Sequence, residues 1–481
     1  MEKINTKYLI IIASILLFVI SISTFYYGYI DIKDYTDTAK FFANEYNAKL
    51  RTAHSVSYSL LHVPFVKMTN SFIIFKLTSV LFLILIILSL YQISNKDKKT
   101  LFLFLISPII WYMAPWVNSI QLSSLLFLWA YYFIKKYEQK EKLKYLLFSG
   151  LLLGVSWLFW DAVIYFSFIL ALAFLYNKKL SSSIFFILAF FLASIPRFII
   201  DQLLFNFAFY SFIKHFFALA SFALYGGAYG QVKESIFHFS NIISSLIILP
   251  FFTFLIFSRK NFLKEKKSII FLILALIIVL FNNAEIRYLT MIYPIIILIL
   301  AKNLSQKQFK IQAIIFLILS LIIINSYLIA IKYETNFTDF NYLIKNFPNY
   351  QIKEIDNSIK NNIYSIANDY PNQAFIVGNG YDDYNILAGF YWGKQVKEFI
   401  SIQDYELFLA NKTAIAGKSI CSYSKPWNRR DICFSVELRK AINDNTDYNS
   451  IKYAISFEKN LSLGNFKLIK EYDSLFLFEK I

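Results

Sequence analysis

Long apolar runs alternate with short polar connections over the first two thirds of the chain. A helix needs about 20 apolar residues to cross a bilayer, and runs approaching this length recur up to residue 331. The runs cover residues 8–26, 72–93, 101–115, 119–134, 145–160, 162–176, 182–200, 241–258, 268–281, 288–301 and 311–331. They predict an α-helical polytopic membrane protein with about eleven transmembrane helices, the shorter of which have loosely defined ends.

A different pattern begins after Ile331, where polar and apolar residues mix. Alternation typical of strands occurs at 374–378, 452–457 and 474–478, and residues 350–369 have the spacing of a helix. We therefore expect two domains, a transmembrane domain at 1–331 and a small C-terminal α/β domain at 332–481.

Composition supports the membrane assignment. The chain is 57% hydrophobic and 16% charged, whereas soluble domains carry about 25% charged residues. The net charge of +17 comes largely from basic residues in the short connections. This placement indicates how the helices are oriented in the membrane and argues against a nucleic-acid partner. The first apolar run follows residues 1–7 and has no small-residue cleavage site before the chain turns polar, which predicts a retained signal anchor.

The basic connections predict which side of the membrane each loop faces, because cytoplasmic loops are enriched in Lys and Arg. These connections are 95–99, 135–144, 177–179, 259–267 and 302–310. With the N-terminus in the cytoplasm, an odd number of spans places the C-terminal domain outside it, in the cell envelope. Residues 203–224 are apolar enough to span. A span there would translocate the basic residues of 259–267, so we expect 197–240 to be a long external loop with interfacial helices.

The cysteines and histidines give little sign of a metal site. Cys421 and Cys433 lie in the expected external domain, where an oxidising environment favours a disulfide, and two free thiols are the alternative. The histidines lack metal-ligand spacing such as HExxH, so a dedicated zinc site is not predicted. They are His54, His62, His215 and His238.

An acidic segment begins where the first predicted helix leaves the membrane. It carries Asp31, Asp34 and Asp37, and four-residue spacing puts Asp31, Tyr35 and Ala39 on one helical face. A carboxylate at the membrane surface can act as a general base toward an acceptor hydroxyl or amine. The alternative is a solvated helix start, where Asp is favoured by the helix dipole.

The pattern of Asp31, Tyr35 and Ala39 after a first transmembrane helix resembles the first-loop signature of GT-C-type membrane glycosyltransferases. That group includes protein O-mannosyltransferases and lipid A aminoarabinose transferases. Further segments resemble elements of the group in the expected order, and together they cover roughly residues 1–331. These segments are 58–64, 75–77, 150–161 and 287–294.

The resemblance implies a GT-C-like fold and a catalytic aspartate in the first loop. Asp31 is the expected base, and Asp34 is a second candidate catalytic residue. The implied donor is a polyisoprenyl-phosphate-linked sugar, and the acceptor is a glycan, a lipid or a protein on the external face. The transferred group is a hexosyl or pentosyl unit. Whether a divalent cation acts beside Asp31 stays open.

Six residues are candidates for substrate binding. They are Tyr35, Lys76, Asp161, Arg197, Arg287 and Tyr288. A guanidinium matches phosphate oxygens in bidentate fashion, which favours Arg287 as a donor-phosphate ligand. Its alternative is a salt bridge to Glu285 or Asp201. Lys76 and Arg197 can hold the same anion or extend to lipid headgroups, and Asp161 is either functional or tolerated in an interfacial turn.

Two departures from the family pattern limit the expected chemistry. Many relatives carry an acid in the second external loop, where this chain has Asn118 within 115–121. The C-terminal domain lacks the Trp-Trp-Asp motif of oligosaccharyltransferases, so single-sugar transfer is favoured over en-bloc transfer. We assign that domain to acceptor binding or to shielding the site.

Two other classes of function compete with the enzyme. A transporter or lipid flippase would tend to show midplane charges, broken helices and repeated halves, whereas the charges here gather at the outer ends. A non-catalytic surface-assembly protein would need neither the first-loop acids nor Arg287.

Overall fold

The structure is a computed structural model, and it describes most of the chain. The described residues are 6–23, 31–44, 55–68, 73–176, 178–213, 265–281, 286–329, 357–378, 384, 387, 391–409, 447–461, 463–473 and 475–481. Cys421 and Cys433 lie outside them, as does the expected span at 241–258. The disulfide and that span therefore stay predictions.

Residues 6–329 are helical over most of the described part. The helices are α1 (Thr6–Ser23), α2 (Asp31–Ala43), α3 (Val56–Leu60), α4 (Val63–Val66), α5 (Ile73–Ile93), α6 (Lys98–Leu105), α7 (Pro108–Met113), α8 (Ile120–Lys140), α9 (Leu143–Phe159), α10 (Val163–Leu175), α11 (Leu180–Phe205), α12 (Lys266–Phe281), α13 (Ile286–Leu289), α14 (Tyr293–Asn303) and α15 (Gln306–Ile329). Most coincide with an apolar run predicted from the sequence.

Three described helices are long and apolar enough to cross a membrane, judged by length and composition. They comprise Ile73–Ile93, Leu180–Leu204 and Gln306–Ile324. Shorter apolar helices accompany them at Thr6–Ile22, Leu143–Phe159, Val163–Leu175 and Tyr293–Asn303. The protein is thus a helical membrane protein, whereas the expected total of about eleven spans stays a prediction.

Two segments differ from the sequence expectation. The run at 101–115 was expected to be one span, but it is divided into α6 and α7 at Ser107 and Pro108, because proline cannot donate a helical hydrogen bond. An external loop was expected to begin at residue 197, but residues 197–205 belong to a helix, and the loop itself stays a prediction. Helix α11 continues through Pro196 to Phe205 and ends at Asn206, which has a left-handed conformation with φ 55°.

Helices α9 and α11 pack closely because α9 has no side chain where they touch. Gly150 and Gly154 are one turn apart on α9. A Cβ atom at Gly154 would lie 2.2 Å from the Phe190 carbonyl oxygen, and one at Gly150 would lie 2.6 Å from the Phe186 carbonyl oxygen. Small residues allow such backbone approach between membrane helices, so these glycines set the separation of α9 and α11.

The C-terminal segment forms a small mixed sheet with helices. Its described elements are α16 (Asn357–Asp369), β1 (Ala374–Val377), β2 (Glu398–Ser401), α17 (Ile402–Leu409), a 3-10 turn (Tyr448–Ser450), β3 (Tyr453–Ser456), β4 (Phe466–Tyr472) and β5 (Leu475–Lys480). The strand order is β2-β1-β3-β5-β4. Strand β1 is parallel to β2 and β3, while β5 is antiparallel to β3 and β4.

Both faces of this sheet are covered by apolar side chains. Phe375 and Val377 of β1 pack with Ile366 of α16, whereas Ile376 packs with Tyr405 of α17 on the other face. This alternation follows from the two-residue period of a strand. The three predicted strands are confirmed, whereas β2 and β4 were not predicted.

The chain divides into two compact units. The first contains residues 1–26, 76–228 and 232–352, and the second contains 27–75, 229–231 and 353–481. The second unit therefore combines the helices of the first loop, α2 to α4, with the C-terminal sheet. This grouping was not predicted from the sequence, and the boundary expected between 331 and 332 stays a prediction.

Candidate functional site

Helix α2, which contains Asp31 and Asp34, is enclosed over its middle turns. Every residue from Tyr35 to Lys40 is buried, including Asp37 and both threonines. Six consecutive buried residues occupy all sides of a helix, since successive residues are about 100° apart. The middle of α2 is therefore enclosed by protein. The side chains of Asp31 and Asp34 lie outside the described part, so their catalytic roles stay predictions.

Lys40, in the last turn of α2, is bound by the C-terminal segment. Its Nζ donates a hydrogen bond of 3.0 Å to the Tyr391 carbonyl oxygen and lies 4.1 Å from the centroid of the Trp392 ring. Only 4% of Lys40 is exposed. Burial lowers the pKa of Lys40 to about 8, and the nearby charge of Asp37 opposes this change.

Aromatic rings connect α2 to the start of α5 within the second unit. The Tyr35 ring meets the Tyr58 ring edge-on at 4.9 Å, Tyr58 meets His62 at 4.8 Å, and His62 stacks on Phe75 at 4.0 Å. The His62 Nδ1 atom lies 2.9 Å from the Tyr58 carbonyl oxygen. Burial lowers the pKa of His62 to about 4, so the imidazole is neutral at pH 7.

Lys76 follows Phe75 and belongs to the first unit. It is 2% exposed, and its Nζ donates a hydrogen bond of 2.8 Å to the carbonyl oxygen of Ser21 near the end of α1. The last carbonyls of a helix have no partner inside the helix, so a lysine here satisfies one of them. Its role as an anion ligand stays a prediction.

Asp161 and Arg197 form a buried ion pair at the turn between α9 and α10. The Arg197 guanidinium donates to Asp161 Oδ1 and to the Trp157 carbonyl oxygen, and its carbon lies 4.7 Å from the Trp157 ring centroid. Asp161 is 6% exposed and Arg197 is 2% exposed. The pair cancels most of the charge that Arg197 would otherwise offer to a phosphate. Substrate binding by either residue stays a prediction.

A serine extends this ion pair along α11. Arg197 Nε donates a 3.1 Å hydrogen bond to Ser211 Oγ, and Ser211 donates through its hydroxyl and its backbone N–H to Asp201. Asp201, one of the alternative partners considered for Arg287, thus contacts Ser211. The network fixes the Arg197 guanidinium from three directions.

Tyr288 reaches the same turn from α13. Its half-buried ring stacks on Trp160 with a centroid separation of 5.7 Å and an angle of 18°. The structure therefore brings together three of the predicted site residues, Asp161, Arg197 and Tyr288. Arg287 precedes Tyr288 in α13, but its side chain lies outside the described part.

The search for a metal centre covers only the described residues. Among them, three or more His, Cys, Asp or Glu side chains do not gather in a group that could hold a metal ion. The side chains of Asp31 and Asp34 are not in that set, so the question of a cation beside them stays open.

Sequence reasoning missed the contact between Lys40 and Trp392. Lys40 directly follows Ala39 of the first-loop signature, but a lysine in an acidic segment gives no sign of a distant partner. The only signal was the pair Tyr391 and Trp392 before Gly393 in a domain otherwise rich in polar residues.

Comparison with known proteins was informative for structure alone. No protein-family model matches the chain, and no curated protein matches it by sequence. A solved structure, ArnT from Cupriavidus metallidurans bound to undecaprenyl phosphate, is similar with a TM-score of 0.61. The two share 11% identity, and the match covers 98% of this chain and 97% of ArnT. The chain has an ArnT-like fold. The match covers residues of both units, and the fold agrees with the helical domain and small C-terminal α/β domain expected from the sequence.

Proposed function

We propose that the protein is a membrane glycosyltransferase that uses a polyisoprenyl-phosphate-linked sugar. The observation that carries this proposal is the full-length likeness to ArnT, whose structure holds undecaprenyl phosphate. A lipid phosphate is the leaving group of such a donor. The sequence signature of the first loop supports the same function independently, because it is a local residue pattern and does not depend on the fold.

In the proposed reaction, a carboxylate of α2 acts on the acceptor. Asp31 takes the proton from an acceptor hydroxyl or amine, the acceptor atom bonds to the anomeric carbon, and the bond from that carbon to the phosphate oxygen breaks. The departing phosphate keeps the electron pair. The enzyme has to align the two substrates and stabilise this anion, for which Lys76 and Arg287 are the proposed cations.

The finer assignments also belong to the proposal. Transfer occurs on the external face of the membrane, and a single hexosyl or pentosyl unit moves to a glycan, lipid or protein acceptor. Tyr35, Asp161, Arg197 and Tyr288 line or support the substrate site. The C-terminal domain lies outside the cytoplasm, as the distribution of basic connections supports.

Sugar transfer by the purified full-length protein tests the proposal. The assay supplies a panel of undecaprenyl-phosphate-linked sugars and compares wild type with Asp31→Asn and Arg287→Ala. We expect transfer to fall about 100-fold in Asp31→Asn, the scale of a lost general base. Glu406→Gln, which changes an exposed acid of α17, is the matched control and keeps wild-type activity.

Two results would overturn the proposal in different ways. Failure to consume any donor in the panel would favour the transporter or flippase alternative. Equal activity of Asp31→Asn and wild type would leave a glycosyltransferase but remove Asp31 as its base.

A further inference from the structure

The strongest unexplained feature of the second unit is a lysine buried between two distant parts of the sequence. Lys40 and Tyr391 are 351 positions apart, yet the Lys40 ammonium donates directly to the Tyr391 carbonyl oxygen. The ammonium is buried, and its nitrogen also lies 4.1 Å from the centroid of the Trp392 ring.

The C-terminal side of the contact is firmly built. The backbone N–H of Trp392 donates a hydrogen bond of 3.1 Å to the hydroxyl of Tyr364 in α16. The Tyr391 hydroxyl donates to Gln395 Oε1 at 2.9 Å and accepts from the backbone N–H groups of Gln395 and Val396. Tyr391 also packs in the apolar core beside β1. The carbonyl and the ring that receive Lys40 are therefore anchored to the C-terminal sheet.

The turn that presents these groups packs closely around the Tyr391 side chain. A Cβ atom at Gly393 would lie 2.4 Å from the Tyr391 hydroxyl oxygen and 2.6 Å from Gln395 Oε1. A side chain at position 393 would therefore have to displace the hydrogen-bonded ends of Tyr391 and Gln395.

The helix that contains Lys40 also contains the proposed base. Lys40 and Asp31 both belong to α2, and the buried residues from Tyr35 to Ala39 lie between them. A helix transmits a shift or rotation at one end to the other, because its backbone hydrogen bonds keep it rigid over a few turns. An error of about 1 Å at a catalytic group can cost about 100-fold in rate.

We propose that Lys40 is a positioning residue through which the C-terminal domain holds α2 in its catalytic orientation. The ammonium acts through the Tyr391 carbonyl and the Trp392 ring and does not touch the reacting atoms. This inference rests on the proposed function, because it assigns Lys40 an effect on the base in α2. It gives the C-terminal domain a structural task in catalysis in addition to acceptor binding or shielding.

A rate measurement with paired variants tests the inference. Lys40→Met keeps the length of the side chain but removes the charge, and we expect kcat to fall at least about tenfold with little change in KM for the donor. Lys40→Arg retains a cation for the carbonyl and the ring and restores most of the rate. Lys67→Met, which changes an exposed lysine of the same unit, is the control.

A double variant separates positioning from general stability. If Lys40 acts through Asp31, adding Lys40→Met to Asp31→Asn lowers kcat by less than about twofold further, because groups that act as a unit are not additive. A full additional loss of tenfold or more would overturn the positioning role while leaving Asp31 as the base. Equal rates for Asp31→Asn and wild type would instead refute the proposed base itself.

Amide hydrogen exchange gives a readout that needs no substrate. In the full-length protein, Lys40→Met and Trp392→Leu are expected to raise the exchange rate of amides in α2 at least about tenfold, and Lys67→Met to leave them unchanged. Unchanged exchange in α2 for both variants would show that the contact does not hold the helix, whatever the enzyme assay gives.

Discussion

Arg197 in the first unit and Lys40 in the second are both buried cations, but their surroundings differ. Arg197 is paired with a carboxylate and held by a backbone carbonyl, a serine and a tryptophan ring. Lys40 contacts a backbone carbonyl and a tryptophan ring in a segment 351 positions away in the sequence. An ion pair between neighbouring helices can serve stability alone, whereas a cation that joins distant segments is suited to positioning.

Removing the Asp161 carboxylate should have the largest effect on stability. Asp161→Asn leaves the Arg197 charge buried without its anion, which costs about 3–5 kcal/mol in comparable pairs. We expect a clear drop in the apparent Tm of the purified protein. The double variant Asp161→Asn with Arg197→Met should recover most of the loss, since it removes both charges. A single variant as stable as wild type would contradict a structural role for the pair.

Lowering the pH should destabilise the folded second unit, because His62 takes up a proton more readily in the unfolded chain. The pKa of this imidazole falls from about 6.5 in the unfolded chain to about 4 in the folded one, so only the unfolded chain is protonated between those values. Stability is therefore fully present above pH 6.5 and is lost as the pH falls toward 4, by up to roughly 3 kcal/mol.

Thermal unfolding of wild type and His62→Phe at pH 7 and pH 4.5 measures this effect. Phenylalanine can retain the ring contact with Phe75 but cannot titrate. The difference in stability between the two pH values should therefore be smaller in His62→Phe. An equal difference in stability between the two pH values in both proteins would show that another group causes the loss of stability in acid.

A packing change tests whether the close approach of α9 and α11 contributes to stability. Gly154→Ala places a methyl group against the backbone of α11 and should cost about 1–3 kcal/mol, as over-packing typically does. The matched control is Gly464→Ala in the C-terminal segment, where an added Cβ would have no atom within 4 Å. Comparable stability of the two variants would show that α9 and α11 can separate without cost.

Sequence reasoning predicted the general architecture because membrane helices and strands have strong periodic signals. The runs around Leu143–Phe159 and Val163–Leu175 and the strand at Tyr453–Ser456 match the structure within a few residues. Strand β4 was missed because Phe466–Tyr472 alternates weakly and its pairing with β5 contains an irregularity between Leu468 and Lys470. The ArnT-like fold agrees with the fold that the sequence resemblance implies, whereas the likeness to O-mannosyltransferases stays a prediction.

The candidate site was only partly predictable, for a physical reason. Asp161, Arg197 and Tyr288 were identified separately by residue type and place along the chain, and the structure brings them to one turn. Which residue pairs with which depends on tertiary packing that no local pattern encodes. The enclosed state of α2 and the contact of Lys40 with Tyr391 were missed for the same reason.

The 351-residue separation of Lys40 and Tyr391 also has a consequence for biogenesis. At a synthesis rate of about 5–20 residues per second, roughly 20–70 s pass between the emergence of the two residues. During that interval the Tyr391 carbonyl and the Trp392 indole have not yet been made, so Lys40 cannot contact them. We expect the proposed sugar transfer to begin only when the last quarter of the chain has been made, so that an incomplete polypeptide lacks this activity.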